Sequence, residues 1–434
     1  MNCASQDNFP YCLSALLPKS WIDEVLKISG KQGLRERRLP SGRMVWFLIM
    51  QALFRDRSRI EVLESLDMAL HGCDGQMPTT SAITQAQERL GVAPIEALFY
   101  KSAQTWSELE LTHQKWKDFS LWVMDGTTLH AADSRENRST FGAQTYASGA
   151  TASYPQVRGV SLMTMHSRLI VEVAFGAYNT NEMLYAEELI GRFPDWSVTV
   201  MDKGFFSAAI LETLKSSGNQ RHFIIPAKAK TKWEVLSGKP SDALVRMKVS
   251  RQAKKKHPGL PDFWDLRAIP TVLPDGREEI LLTSLLDRKK YPTADIACLY
   301  GRRWETETCY SEIKETLLGA KLTLRSRKVE GVLQETWGAI IAYNLVRLRM
   351  ALDAAETVYD PTDLSFTRAR NLLRDELLVE ACTSRNILRT TLLQRRREQF
   401  KNLPNPKRPG RKCPRVVKAL PQKYESRVLR KPKF

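Results

Sequence analysis

No stretch of this 434-residue chain approaches the roughly 18 uncharged residues that a membrane-spanning helix requires. The best apolar run, Met44 to Phe54, passes straight into Arg55, Asp56 and Arg57. The first residues, Met1, Asn2, Cys3, Ala4 and Ser5, carry no basic segment leading into an apolar run, which argues against a secretory signal. Cysteine is scarce: Cys3, Cys12, Cys73, Cys298, Cys309, Cys382 and Cys413 are scattered with no Cys-x2-Cys pair. That spacing supports neither a disulfide framework nor a zinc knuckle and suits a reducing cytoplasm. No internal repeat is present, so a solenoid or propeller is not indicated. With 43% hydrophobic residues the chain has ample material for buried cores, which excludes disorder as a description of the whole. Its length suggests two to three domains.

Charge of one sign prevails. The formal net charge is +18, from 66 basic and 48 acidic residues. Fifteen of the bases and only two of the acids, Glu398 and Glu425, lie between Arg395 and Phe434. Most of the excess is therefore a Pro-rich basic tail that starts at Arg395, Arg396 and Arg397. Such a tail either solubilises the chain or acts as a nonspecific nucleic-acid arm. No amphipathic helix with an aromatic anchor accompanies it, which disfavours a membrane surface. A second basic stretch, Lys228, Lys230, Lys232 and Lys254 to Lys256, has Trp233 and Trp264 nearby. Bases with aromatics can track a phosphate backbone, and they equally describe a solvated loop and two core tryptophans.

The first hundred residues are expected to be helical. Ser20 with Asp23 imitates a capping box ahead of a helix that stops at Gly30. Pro40 precedes a helix over Met44 to Phe54. Thr79 and Thr80 lead into Ile83, Ala86 and Leu90 at helical spacing, ended by Gly91, and a further helix starts at Pro94. Arg35, Arg37, Arg38, Arg43, Arg55, Arg57 and Arg59 punctuate this region, as suits either a small DNA-binding domain or a plain bundle. Past Phe119 strand-like runs appear at Leu121 to Met124, Leu162 to Met165, Leu169 to Phe175, Trp196 to Met201 and Phe223 to Ile225, with a helix over Glu182 to Arg192. Pro274, Asp275 and Gly276 form a hairpin turn leading to Leu281, Leu282, Thr283 and Ser284. Helix returns from Thr293, and Gly331 to Met350 is strongly apolar. This is an α/β core with an inserted β-rich segment.

Two aspartates each close an apolar run: Asp125 after Leu-Trp-Val-Met, before the turn-like Gly126, Thr127 and Thr128, and Asp202 after Val-Thr-Val-Met. Strand ends in an open α/β sheet are where side chains meet ligands. Alone, each aspartate reads first as a turn-former or cap, and finding both in one sheet weakens that reading. Further on, Tyr300, Arg303, Glu307 and Lys314 stand at offsets that, at about 100° per residue, fall within a stripe ~60° wide on one helix. As a surface feature, Arg303 and Glu307 would be an i, i+4 pair worth a few tenths of a kcal/mol.

Tyr-x2-Arg-x3-Glu-x6-Lys resembles the signature around the catalytic glutamate of bacterial DDE transposases of the insertion-element-four group, at all four positions. Asp125 in Asp-Gly-Thr-Thr and Asp202 in Asp-Lys-Gly-Phe look like that group's first and second acidic motifs. Leu281-Leu282-Thr283-Ser284 stands where such proteins carry their last core strand. Arg38-Leu39-Pro40 and Leu53-Phe54-Arg55-Asp56-Arg57-Ser58 resemble the group's helical N-terminal domain.

The resemblance implies an RNase H-like mixed-sheet core in which Asp125, Asp202 and Glu307 bind two Mg²⁺ ions, with Mn²⁺ as a substitute. Tyr300, Arg303 and Lys314 would hold backbone phosphates of double-stranded DNA. One departure stands out: Glu279 occupies the place where hairpin-forming members carry a tryptophan that stacks on a flipped base. The implied organisation is a helical DNA-binding domain over 1–112, a catalytic core over 113–226 and 280–350 interrupted by a β-rich basic insertion at 227–279, a helical region over 351–394 and the basic tail over 395–434. The expected activity is cut-and-paste transposition by a cytoplasmic, nucleoid-associated protein, as a dimer or larger synaptic complex. An inactive DNA-binding protein and a metal-dependent nuclease without strand transfer are the competing readings.

Overall fold

The computed structural model describes residues 16–32, 39–70, 78–111, 115–147, 149–273, 276–319, 324–355, 357–382 and 404. Arg35, Arg37, Arg38, Pro274, Asp275 and, Pro404 apart, the basic tail lie outside them. The chain divides into two compact units: Met1–Trp106, Leu129–Gln156 and Glu312–Phe434 form one, and Ser107–Thr128 with Val157–Ser311 the other.

The first unit is built from helices. Lys19–Ile28, Ser41–Leu53, Arg59–Leu70, Thr80–Leu90 and the start of Ala93–Leu111 supply its N-terminal part. Thr79 caps its helix by accepting from the Ala82 N–H at 3.3 Å, and Gly91 ends it at φ +72°, a backbone region that favours glycine. The capping box expected at Ser20 does not form. Pro18 flanks the helix instead, so Ser20 lies inside the first turn, where its hydroxyl cannot serve as the cap. The 27-residue helix Val329–Ala355 is buried along most of its length and packs against Ser41–Leu53. Gly338 permits that approach, because a Cβ there would stand 2.7 Å from the Leu48 carbonyl oxygen. Arg347 is fully buried, ion-paired with Glu312 and lying over the rings of Tyr343 and Phe366. A buried guanidinium is tolerated only when paired in this way.

The second unit is organised on a nine-stranded mixed sheet. Its strands are β1 (Ser120–His130), β2 (Gln156–Thr164), β3 (Ile170–Ala177), β4 (Ser197–Met201), β5 (Arg221–Pro226), β6 (Glu234–Lys239), β7 (Asp242–Lys248), β8 (Phe263–Val272) and β9 (Glu278–Thr283). Their spatial order is β3-β2-β1-β4-β5-β9-β8-β7-β6. β1, β4 and β5 run parallel at the centre, while β9 to β6 continue the sheet as an antiparallel meander. The central strands read as unbroken apolar runs because both faces are covered. Trp122, Met124, Met201, Phe223 and Ile225 join helix residues Leu189, Ile210 and Leu214 in one core.

Strand β1 runs further than the sequence suggests. Gly126, Thr127 and Thr128 are extended and carry it to His130, so they are not a turn. The threonines are β-branched and suit a strand. Asp125 therefore lies within β1, at the point where pairing with β4 stops.

Candidate active site

The parallel register brings the two aspartates together. Met124 is opposite Met201, and the next residue on each chain segment is aspartate. On adjacent strands of matched phase, Asp125 and Asp202 emerge side by side. Asp202 bends its own segment into a 3₁₀ turn, its Oδ2 accepting from the Gly204 N–H at 3.1 Å. Lys228 holds the same loop by donating to the carbonyls of Gly204 and Phe206, at 3.3 and 3.0 Å.

Asp125 is gripped from several directions. Its Oδ1 accepts from the Gly126 N–H at 2.8 Å and its Oδ2 from the Thr306 hydroxyl at 3.1 Å. Its carbonyl accepts from the buried Tyr310 hydroxyl at 2.7 Å, while Ser161 lies 2.8 Å from the same phenol oxygen. Thr306 and Tyr310 flank Glu307 on the helix Trp304–Ser311, so these bonds tie that helix to β1. Burial raises the Asp125 carboxyl above the ordinary 3.8. Hydrogen bonds from Gly126 and Thr306 and the charge of Arg303 oppose the shift, and Asp202 adds to it.

Tyr300, Arg303 and Glu307 do not lie on one regular helix, which corrects the stripe expected from their spacing. The helix Thr293–Gly301 ends at a glycine. Bonds from Arg303 N–H to Tyr300 O and from Thr306 N–H to Arg303 O then tighten the backbone before the next helix begins. Glycine weakens a helix interior, and three-residue hydrogen bonding changes its phase. Past Ser311 the chain widens into a π turn, Glu312–Leu317, that carries Lys314 into the first unit. Tyr300, Arg303 and Glu307 remain with the aspartates in the second unit.

Arg303 is the common partner. Its guanidinium lies 3.5 Å from Glu307 and feels the negative charges of Asp202, Asp125 and Glu307, which together with Tyr300 outweigh its burial and raise its pKa. Among the described residues, no three His, Cys, Asp or Glu side chains converge closely enough to cage a metal ion; the carboxylates share this guanidinium instead. Burial pushes the Tyr300 phenol up to about 12, against the opposing charge of Arg303.

Three further residues border the site that the sequence reading passed over: Thr306, Tyr310 and Glu182. Glu182 opens the helix Glu182–Leu189 immediately after its Asn181 cap. Its carboxylate lies against Gly126, and a Cβ on that glycine would fall 1.4 Å from Oε1. The glycine after Asp125 was the available sign, since glycine inside a strand often marks a close approach. Glu279 pairs with Lys203 at 3.6 Å and is no stacking surface. Trp264, 6% exposed, stacks on Phe206 in the core, and Trp233 packs against the same cluster.

Known proteins share recognisable sequence with most of this chain. A family described as insertion element 4 transposase N-terminal matches residues 10–100, and one described as transposase DDE domain matches residues 116–345. The chain belongs to the insertion-element-four family of DDE transposases. It is 37% identical over 416 residues to the transposase InsG for insertion sequence element IS4 of Escherichia coli (strain K12), covering 95% of this chain and 92% of that relative. It is also 31% identical over 212 residues to the putative transposase InsZ of the same strain, covering 49% of this chain and 69% of that one. A piggyBac transposase synaptic complex with hairpin DNA aligns with a TM-score of 0.44 at 12% identity, covering 92% of this chain and 86% of that chain. The enzyme is thus a cut-and-paste transposase, of a family that works with divalent metal ions. No helix among the described residues is long and apolar enough to cross a membrane.

Proposed function

We propose that this transposase binds the terminal inverted repeats of its element as double-stranded DNA, cuts at their ends and joins the freed 3′-hydroxyls to target DNA, using Asp125, Asp202 and Glu307 on an RNase H-like core. The observation that carries the reading is the register Met124 to Met201, which sets two aspartates side by side on parallel strands with the Glu307 helix bonded to one of them. Three carboxylates offer hard oxygen donors, the ligand class that Mg²⁺ or Mn²⁺ prefers over nitrogen or sulfur. Asp125, Asp202 and Glu307 would hold a pair of such ions, whose chemistry when bound would be to lower the pKa of a water and to offset charge on the leaving oxygen of a phosphodiester.

The remaining roles follow from this chain's own groups. Tyr300, with its phenol at about 12, stays protonated at neutral pH and donates a hydrogen bond to a phosphate rather than taking a proton. Arg303 neutralises the carboxylates in the free protein and presents a planar fork to backbone phosphates when DNA arrives. Lys314, in the first unit, would offer a point charge to a backbone phosphate. Residues 1–112 would serve as the DNA-binding domain, 113–226 with 280–350 as the core, 227–279 as its insertion, 351–394 as a helical appendage and 395–434 as a nonspecific arm. Two ends held together call for a homodimer or larger assembly on the nucleoid.

The test is excision of a marker flanked by the gene's own neighbouring DNA. Precise loss of the marker with wild-type protein, and none with Arg303→Ala, is expected. A folded wild-type protein that binds the ends without excising the marker would point to the inactive DNA-binding alternative. Cleaved ends that are never joined would point to a nuclease.

A further inference from the structure

Lys314 leaves the regular helical path, and the reason lies in the backbone around it. In a regular helix the Leu318 N–H would bond to the Lys314 carbonyl. Here it bonds to Ile313 O at 2.8 Å, one residue further back. Glu312–Leu317 is thus a π turn, in effect one residue inserted into a helix. An extra residue rotates whatever follows by about 100° relative to an uninterrupted helix. Ile313 and Leu317 stay buried, while Lys314 is half-buried and Glu315 exposed.

Such turns are rare, so neighbours must hold this one open. Two helices of the same unit do so. At the start of the turn Glu312 is ion-paired with the fully buried Arg347 of the helix Val329–Ala355, and the Tyr343 hydroxyl lies 3.2 Å from Arg347 Nε. Near its end the Thr316 carbonyl accepts from the Arg370 guanidinium of the helix Phe366–Cys382. Asn371 steadies that guanidinium, its Oδ1 accepting from Nε and Nη2 at 3.3 and 3.0 Å. Burial of Arg347 accounts for the Glu312 pair by itself. It does not account for Arg370. Burial and the charge of Arg374 both lower the Arg370 pKa, and the acid it feels, Asp56, is bonded to Arg374 at 3.0 Å. A half-buried cation is thus kept on a main-chain carbonyl, where a neutral group would cost less to bury.

We infer that Arg370 is a positioning residue for DNA: by holding the Thr316 carbonyl it keeps the π turn open and so directs the Lys314 ammonium at the backbone phosphate it takes up. The inference rests on the reading of Lys314 as a phosphate contact. Were the turn to close into a regular helix, the same ammonium would leave from a different side of it.

The test is the salt dependence of binding of the full chain to a duplex carrying the element's terminal inverted repeat, in wild type, Lys314→Ala, Arg370→Met and the double variant. Melting temperatures are followed beside it. Each phosphate contact contributes about 0.9 to the slope of log affinity against log salt, so Lys314→Ala should lower the slope by that amount. Arg370→Met should lower it equally, and the double variant no further than either alone. An arginine that only supported the fold would lower the melting temperature and leave the slope as it is. Arg370→Gln, which stays polar but is too short to reach the Thr316 carbonyl, should repeat the loss and serves where the Met variant fails to fold. A wild-type slope in the Arg370 variants, beside a loss in Lys314→Ala, would overturn the inference and leave Lys314 as a contact. Additive losses would overturn it too, by making Arg370 a phosphate contact in its own right. An unchanged slope in Lys314→Ala would overturn the reading of Lys314 itself.

Discussion

Tyr310 donates its buried hydroxyl to the main-chain carbonyl of Asp125 at 2.7 Å. One bond thereby fixes the helix that carries Glu307 against the strand that carries the first aspartate. Ser161 on β2 lies 2.8 Å from the same oxygen, so three elements meet at one phenol. Burial holds that phenol well above its usual pKa, which keeps it a donor at any working pH.

Tyr310→Phe should therefore cost on the order of 1–2 kcal/mol of stability, because it strips a buried carbonyl of its partner. DNA cleavage should fall further than that loss implies, through loosened spacing between Asp125 and Glu307, while end binding stays near wild type. Urea denaturation alongside single-turnover cleavage checks both. Equal cleavage rates in the two proteins would show that the bond does not set the site's geometry.

The pH dependence of the metal-free protein carries a definite sign. Burial raises the Asp125 carboxyl above its ordinary 3.8, and Glu182 is raised above 4.5 by the same cause. For a carboxyl raised on folding, the favourable contribution is complete below the unfolded value and is lost as pH climbs through the folded one. Asp125→Asn removes that loss. In EDTA the variant should melt higher than wild type at neutral pH, with the gap closing as pH falls towards 4. A constant gap across that range would mean that titration of Asp125 does not contribute.

The basic tail makes a separate prediction from its charge alone. Fifteen bases against two acids in residues 395–434 should release counterions on binding DNA. Truncation before Arg395 should flatten the dependence of log affinity on log salt, and alter preference for the element's ends much less. Filter binding or fluorescence anisotropy across a salt series measures the slope, and an unchanged slope would remove the arm from the account.

Much of this was legible residue by residue. Thr79 and Gly91 bracket a helix because a hydroxyl cap and a glycine stop are local signals. Asp125 and Asp202 stood out because each follows a buried apolar run. The π turn at Glu312–Leu317 and the tightened step at Arg303 were not legible, since backbone hydrogen-bond phase leaves no pattern in side-chain spacing. That is why a single stripe through Tyr300, Arg303, Glu307 and Lys314 was expected and is not formed. Thr306, Tyr310 and Glu182 act across long sequence separations, and only the fold brings them to Asp125. The glycine at 126 was the one local sign of Glu182, and its reason became visible only when the facing side chain was in place.

The most direct measurement is cleavage of a duplex carrying the element's terminal inverted repeat, by wild type and Glu307→Gln, in Mg²⁺ and in Ca²⁺, with end binding followed in parallel. The account predicts Mg²⁺-dependent cleavage by wild type, none detectable by the variant, and binding within about twofold of each other, since Gln keeps the shape but not the charge that a hard cation needs. Cleavage by Glu307→Gln at the wild-type rate would contradict it.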